Sequence, residues 1–204
     1  MIRIVDYGLG NIQAFRNVFK RLNIAVLPAA TADELADATK VILPGVGHFD
    51  HAMERLTQSG MREALDELVL QRRVPVLGVC VGMQIMAQSS EEGMRPGLGW
   101  IDGRVRSFAS LESARDLPLP HMGWNDVRPI AANKVFDQLT IDARFYFLHS
   151  FYFKCRHSDD ILAVATYGEE FSAAVKRANI YGVQFHPEKS HGFGTRLLKN
   201  FAEL

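Results

Sequence analysis

The chain has 204 residues, 48% of them hydrophobic, which is enough for one buried core and predicts a single domain over residues 1–204. Lysine plus arginine and aspartate plus glutamate balance at 23 each, a composition that argues against a general nucleic-acid binder and against recruitment by charge to an anionic membrane. Two cysteines are too few for a disulfide framework, and the chain shows neither a signal-peptide pattern nor an apolar run of bilayer length. The expectation is a soluble, cytoplasmic protein.

Residues 2–5, Ile-Arg-Ile-Val, open the chain as a short apolar strand, and Asp6-Tyr7-Gly8-Leu9-Gly10-Asn11 follows at once. Two glycines after a first strand invite a dinucleotide-binding reading. That fingerprint needs a third glycine at position 13, where Gln13 stands, and an acidic residue at the tip of the next strand, which ends in Leu27-Pro28. The Ser/Thr run of a flavin phosphate loop is missing too, so no cofactor is expected and a tight turn is sufficient reason for the glycines.

Ile12, Phe15, Val18, Phe19 and Leu22 recur at helical spacing, as do Met61, Leu65, Leu68 and Val69. Between these patterns lie short Val- and Ile-rich runs at residues 24–27, 41–43 and 75–79. Such continuous apolarity suits parallel strands covered on both faces. The alternation predicts an α/β fold with a doubly wound, mostly parallel, flavodoxin-like sheet. After Gly99 the pieces shorten. Residues 105–108, 145–153, 161–166 and 180–185 read as strands of a mixed region with antiparallel pairs at one edge, and residues 110–121 as an exposed loop.

The sharpest local signal is Gly78-Val79-Cys80-Val81-Gly82, a cysteine between a buried strand and a helical pattern. Small flanking residues allow the tight strand-to-helix turn that pushes a nucleophile out at the carboxyl end of a sheet. A thiol at a helix N-terminus meets the positive end of the backbone dipole, which favours the thiolate. The Val81 N–H would face an oxyanion formed there. The same five residues also suit a structural cysteine packed between two glycines.

A thiolate nucleophile needs an acid–base partner, and Tyr181-Gly-Val-Gln-Phe-His186-Pro187-Glu188 offers one. Proline at 187 keeps His186 extended, and alternate residues of an extended segment face the same way. Glu188 is therefore placed to orient His186 while the far ring nitrogen faces Cys80. His-Pro-Glu alone is a weak signal; coupled to an elbow cysteine about a hundred residues earlier it is a strong one. Cys155 has no acid or histidine arranged around it by spacing and reads as structural. The seven histidines, among them His48, His51, His157 and His191, show no ligand spacing, so no metal is expected.

These segments resemble the class I glutamine amidotransferases. With Asp6 to Asn11, Pro44-Gly45-Val46-Gly47, His121-Met122-Gly123-Trp124-Asn125 and Phe185 to Ser190, the whole chain is similar to the glutaminase subunits of imidazole glycerol phosphate synthase, a histidine-biosynthesis enzyme. Two features depart from the pattern: Val81 stands where leucine is more usual, and residues 109–120 are idiosyncratic. The resemblance implies that Cys80, His186 and Glu188 form a triad that hydrolyses L-glutamine to glutamate and ammonia. It further implies Val46 and Val81 as oxyanion donors, Gln84 and Glu92 at the amide and amino ends of the substrate, and His149 and Ser150 near its carboxylate. Read without the family, residues 44–47 are equally a plain turn, Gln84 and Glu92 a solvated helix face, and the aromatic run around His149 a piece of core.

The resemblance also implies a heterodimer with a (β/α)8-barrel cyclase subunit that receives the ammonia. Asn11, Trp124 and Lys189 match positions facing that partner, and the glycines before Asn11 would then permit close approach between the two proteins. Two rival readings remain at this stage. The glutaminase subunits of anthranilate synthase and of pyridoxal phosphate synthesis share the elbow and the His-x-Glu pair, though not the other motifs. A catalytically silent flavodoxin-like interaction module would be free to lose any of Cys80, His186 or Glu188, and all three are present.

Overall fold

The computed structural model describes residues 1–139 and 142–204. The first half runs β1 (Ile2–Val5), α1 (Ile12–Arg21), β2 (Val26–Ala29), α2 (Ala32–Leu35), β3 (Lys40–Gly45), α3 (Phe49–Gln58) and α4 (Arg62–Asp66), which continues into a π-helical turn at Glu67–Gln71. Next, β4 (Val76–Cys80) enters the single turn α5 (Val81–Gln84) directly and is followed by β5 (Ser89–Ser90) and β6 (Gly103–Ser107). The second half adds β7 (His121–Asp126), β8 (Arg128–Pro129), β9 (Arg144–His149), β10 (Phe151–Cys155), β11 (Ile161–Tyr167), β12 (Glu169–Arg177), β13 (Ile180–Val183) and the closing helix α6 (His191–Ala202).

Among the described residues eleven strands make one sheet whose main path is β2-β1-β3-β4-β13-β12-β10-β6-β5, with β11 pairing with β12 and β8 with β11 off that path. The first five are parallel, whereas β12 is antiparallel to β13 and β10 is antiparallel to both β12 and β6. This is the expected doubly wound sheet with antiparallel strands towards one edge. Every residue of β4 and β13 is buried, as their unbroken apolar runs require of strands covered on both faces. The edge strand β2 is only partly buried and carries Pro28, which an edge tolerates because one side of its backbone is unpaired.

Helix α1 shows why the local sequence folds as it does. The Asn11 side chain accepts from the Ala14 N–H, Lys20 and Arg21 sit in the last turn, and Phe15, Val18 and Phe19 form the buried stripe. Asn23 then adopts φ +56°, a helix-ending conformation that asparagine accepts readily.

Two expectations change. The aromatic run at 145–153 is not one strand: it breaks at Ser150, and β9 pairs with β7 in a separate two-stranded sheet while β10 joins the main sheet beside β6. The segment 110–121 is less open than expected, since it holds the short turn Glu112–Ala114 and its last residue, His121, is buried at the start of β7. Among the described residues no helix is long and apolar enough to cross a membrane.

Candidate active site

Register places the site. In the parallel pairing of β4 with β13, Val79 lies opposite Val183, so the chain leaving β13 passes directly beside the end of β4. On the other flank β3 pairs with β4 until Gly45 meets Cys80. Three segments, residues 45–47, 80–84 and 184–188, therefore converge at the carboxyl ends of three central strands, the usual position of sites in open α/β sheets.

Cys80 is the bend itself. Its φ of +55° and ψ of −116° are unusual for a residue with a side chain and are held by the packing around it. Gly82 makes that packing possible, because a Cβ there would overlap the Leu43 carbonyl oxygen and lie 2.9 Å from its carbon. The Val81 amide opens α5 and so has no partner within the helix.

His186 Nδ1 lies 2.9 Å from Glu188 Oε1, and both side chains are almost wholly buried. Burial opposes charge on the His186 ring, but its hydrogen bonds to Cys80 and Glu188, with their charges, outweigh burial and raise the pKa to about 10. Two further bonds fix the loop. The His186 N–H donates to the Tyr146 carbonyl at 2.9 Å, and the Ser190 hydroxyl donates to the His186 carbonyl at 2.6 Å while accepting the Tyr146 N–H at 3.0 Å. Ser190 is thus a clamp that motif reading quotes but gives no task.

Cys80, His186, Val46, Val81, Gln84, Glu92, His149, Ser150 and Lys189 all line one cavity of about 290 Å³. Glu188 stands behind His186 instead of on the wall. Glu92 is half-buried, and its Oε2 accepts the Phe49 N–H at 2.8 Å, so the same carboxylate caps α3 and faces the cavity. Val46 is 39% exposed, and Gly47 beside it has φ +85°.

His149 has no ring nitrogen to spare. Its Nδ1 lies 2.7 Å from the Phe151 carbonyl and its Nε2 3.0 Å from Nδ1 of His121, whose Nε2 lies 3.2 Å from the Asn125 amide nitrogen. That amide also donates to the Thr166 carbonyl at 2.9 Å. Carbonyls only accept, so the chain has one direction and both rings are neutral: Asn125 donates to His121, His121 to His149, and His149 to Phe151. Burial pushes the His149 ring down to about 3 and His121 down to about 4. Any contact of residues 149–150 with a ligand must therefore come from backbone groups or from Ser150.

The opening glycines find their reason within the chain. Gly10, at φ +92°, packs so closely on Pro44 that a Cβ would lie 2.7 Å from the proline Cβ. The neighbouring Tyr7 is buried and donates its hydroxyl to the Pro44 carbonyl at 2.8 Å. Burial, with Cys80 close by, holds that hydroxyl protonated well above its ordinary range. The stretch thus braces the loop that carries Val46.

Asn11 is exposed, and its side-chain oxygen caps α1. Trp124, 40% exposed, stacks on His191 at 5.3 Å, and Lys189 sits 5.9 Å above the Tyr146 ring. On the exposed face of the small sheet Met122 pairs with Leu148 and Trp124 with Tyr146; Met122 is 66% exposed and Leu148 reaches the cavity rim. Met122 and Leu148 escaped the sequence reading because single exposed apolar residues in strands are common.

The model of the glutamine amidotransferase class-I family matches residues 3–204. Imidazole glycerol phosphate synthase subunit HisH of Bdellovibrio bacteriovorus is 64% identical over 204 residues, covering 100% of both chains, and that of Leptospira interrogans is 52% identical over the same span. A crystal structure of a glutamine amidotransferase shares the fold at a TM-score of 0.76 and 18% identity, over 99% of this chain and 97% of that one. The chain belongs to the class I glutamine amidotransferases, and within them to the family of imidazole glycerol phosphate synthase subunits HisH.

Proposed function

We propose that Cys80, His186 and Glu188 hydrolyse glutamine in the cavity and that the ammonia passes to a (β/α)8-barrel cyclase subunit docked over its mouth. The observation that carries the reading is the elbow: a cysteine at φ +55° facing a buried histidine whose other nitrogen is 2.9 Å from a buried carboxylate.

The Cys80 sulfur attacks the side-chain amide carbon, forming a C–S bond and moving the carbonyl electron pair onto oxygen. The N–H of Val81, joined by that of Val46 when the 45–47 loop presents it, stabilises the oxyanion. His186, charged at neutral pH, gives its proton to the departing nitrogen; the C–N bond breaks, ammonia leaves and a thioester remains. The neutral ring then takes a proton from water, whose oxygen attacks the thioester. Collapse breaks the C–S bond, returns the electron pair to sulfur and frees glutamate. Gln84 and Glu92 line the wall where the substrate's polar ends would lie, and Glu188 keeps His186 in one tautomer.

Ammonia in neutral water is mostly protonated and no longer nucleophilic, so a synthesis must receive it under cover. The exposed apolar rim of Val46, Met122, Trp124 and Leu148, with Lys189 and Asn11 at the same end of the molecule, supports a protein partner there. The cyclase would use the ammonia to form imidazole glycerol phosphate and aminoimidazole carboxamide ribotide, in a heterodimer in the reducing cytoplasm where both free cysteines persist. Glutamate release is the test: the chain alone, with a cyclase subunit, and with that subunit carrying its nucleotide ligand, each beside Cys80→Ala. Activity that rises in the loaded complex and vanishes with Cys80→Ala is expected. Equal rates in all three states would overturn the docking, and a fully active Cys80→Ala would overturn the triad.

A further inference from the structure

Gln184 is a fully buried amide two residues before His186, on a segment where every neighbour from Ile180 to Phe185 is apolar, aromatic or glycine. Burying a primary amide is costly unless its atoms are bonded, so its partners define its purpose. Its nitrogen lies 3.7 Å from Cys80 Sγ, and its oxygen lies 3.0 Å from the Gln84 amide nitrogen. The Gln84 nitrogen is in turn 3.0 Å from the Phe151 carbonyl.

The direction of these bonds is not free. The Phe151 carbonyl can only accept, so the end of Gln84 that faces it is the NH2 group. The second proton of that NH2 goes to Gln184, whose near atom must then be oxygen. The far atom of Gln184 is its NH2, aimed at the sulfur. The same carbonyl accepts from His149 Nδ1 at 2.7 Å, so both of its lone pairs are occupied and the anchor is held from two sides. Besides His186, the Leu148 carbonyl faces the sulfur at 3.9 Å, an acceptor that suits an S–H donor. Leu148 thus favours the thiol, and Gln184, which only donates in this orientation, favours the thiolate.

We infer that Gln184 is a catalytic hydrogen-bond donor to the Cys80 sulfur, held in its donating orientation by Gln84 and the Phe151 carbonyl. The inference rests on Cys80 being the nucleophile. Gln184 acts whenever sulfur carries the electron pair: before attack on the amide, and again when the C–S bond of the thioester breaks and the pair returns. Gln84 thereby acquires a second task beyond lining the cavity, and its nitrogen is not available to a ligand while the relay stands.

The test is the pH profile of Cys80 alkylation by iodoacetamide, read peptide by peptide so that Cys155 serves as an internal reference, in the wild type and in Gln184→Met. Methionine keeps the length and removes the donor. Cys80 alkylation at pH 7 is expected to slow by about tenfold in Gln184→Met while the alkaline plateau and the Cys155 profile stay put, a pattern that general loosening would not give. Superimposed Cys80 profiles would overturn the role of Gln184. A wild-type Cys80 no more reactive than Cys155 at pH 7 would instead overturn the nucleophile, and this inference with it. Should Gln184→Met not fold, the wild type still decides: the Gln184 side-chain amide protons must titrate by NMR with the midpoint of Cys80 alkylation and stop titrating in Cys80→Ala. Amide signals indifferent to pH would refute the bond.

Discussion

The two cysteines end strands of one sheet, β4 and β10, in opposite surroundings. Cys80 is only 4% exposed, the more hidden of the two, while Cys155 at the end of β10 is half-buried. Exposure therefore does not mark out the cysteine proposed as nucleophile. Cys155 lies in a regular strand, and burial pushes its thiol up to about 12 against the hydrogen bond from Ser172 beside it. Cys80 sits in a left-handed bend, with an imidazole, an amide donor and a helix-opening N–H converging on it. What makes the difference is the array of donors at the strand ends, and each prediction below removes a part of it.

The largest effect is expected from exchanging the two thiols. Cys80→Ser should lower glutamine turnover by roughly 10⁶-fold, in line with losses on removing a nucleophile from a triad, whereas Cys155→Ala should leave turnover unchanged. A large loss in Cys155→Ala would erase the contrast.

Next comes the orienting carboxylate. Glu188→Gln should cost roughly 10²-fold in kcat with little change in KM, because it disturbs proton transfer and not binding. It should also bring the alkaline limb of the pH–rate profile down. The His186 pKa is raised to about 10 with Glu188 as one cause, so the wild type keeps its general acid protonated until pH approaches 10 and loses it above. An alkaline limb that stays in place in Glu188→Gln would show that the carboxylate does not hold the imidazolium.

A smaller effect, on folding, tests the bend. Gly82→Ala places a methyl group against the backbone of Leu43, which no side-chain rotation can relieve, and is expected to destabilise by about 1–3 kcal/mol by urea denaturation while slowing Cys80 alkylation. An alanine variant of wild-type stability and reactivity would mean that the elbow does not depend on this contact.

How much of this was legible in the residues follows the same contrast. The parallel core was, because β4 and β13 announce themselves by unbroken apolar runs and β1 and β3 by runs interrupted only by Arg3 and the opening Lys40, and the elbow and the His-x-Glu pair sit at their ends. In the second half β6, β11 and the antiparallel edge were legible too, but β7, β8 and β12 were not. Strand β12 is polar at both ends with Ser172, Ala173 and Ala174 in the middle, and becomes a strand through pairing with β13 on one side and with β11 and β10 on the other. Strand β7 contains Gly123, Asn125 and Asp126 and exists because β9 lies opposite. Of the site itself, Gln184 left a readable trace, a lone amide in an apolar strand at even spacing from His186. The purpose of Gly10 left none, since contact with Pro44 across 34 positions is a fact of topology.

The mildest perturbation addresses the two ends of β10, one anchoring the Cys80 relay through Phe151 and the other holding Cys155. The fold keeps His121 and His149 neutral, with pKa values pushed down by burial to about 4 and about 3 from 6.5. Between those limits the unfolded chain binds protons that the folded chain refuses, so their contribution is complete above pH 6.5 and is lost as pH falls towards 4. The slope reaches about 1.4 kcal/mol per pH unit for each histidine. Protonating His149 sets two N–H groups against each other across the 3.0 Å His121–His149 contact, and protonating His121 does the same across its 3.2 Å contact with the Asn125 amide, so the relay breaks at one or the other. His121→Gln keeps a donor for His149 and an acceptor for Asn125 without the titration, and its stability should depend on pH roughly half as steeply between pH 6.5 and 5 in urea unfolding. Hydrogen exchange at the same pH values should show protection falling first around residues 149–151 and last around Cys155. Parallel slopes for the two proteins, or simultaneous loss along β10, would mean that the histidine relay does not support the end of the strand that faces the nucleophile.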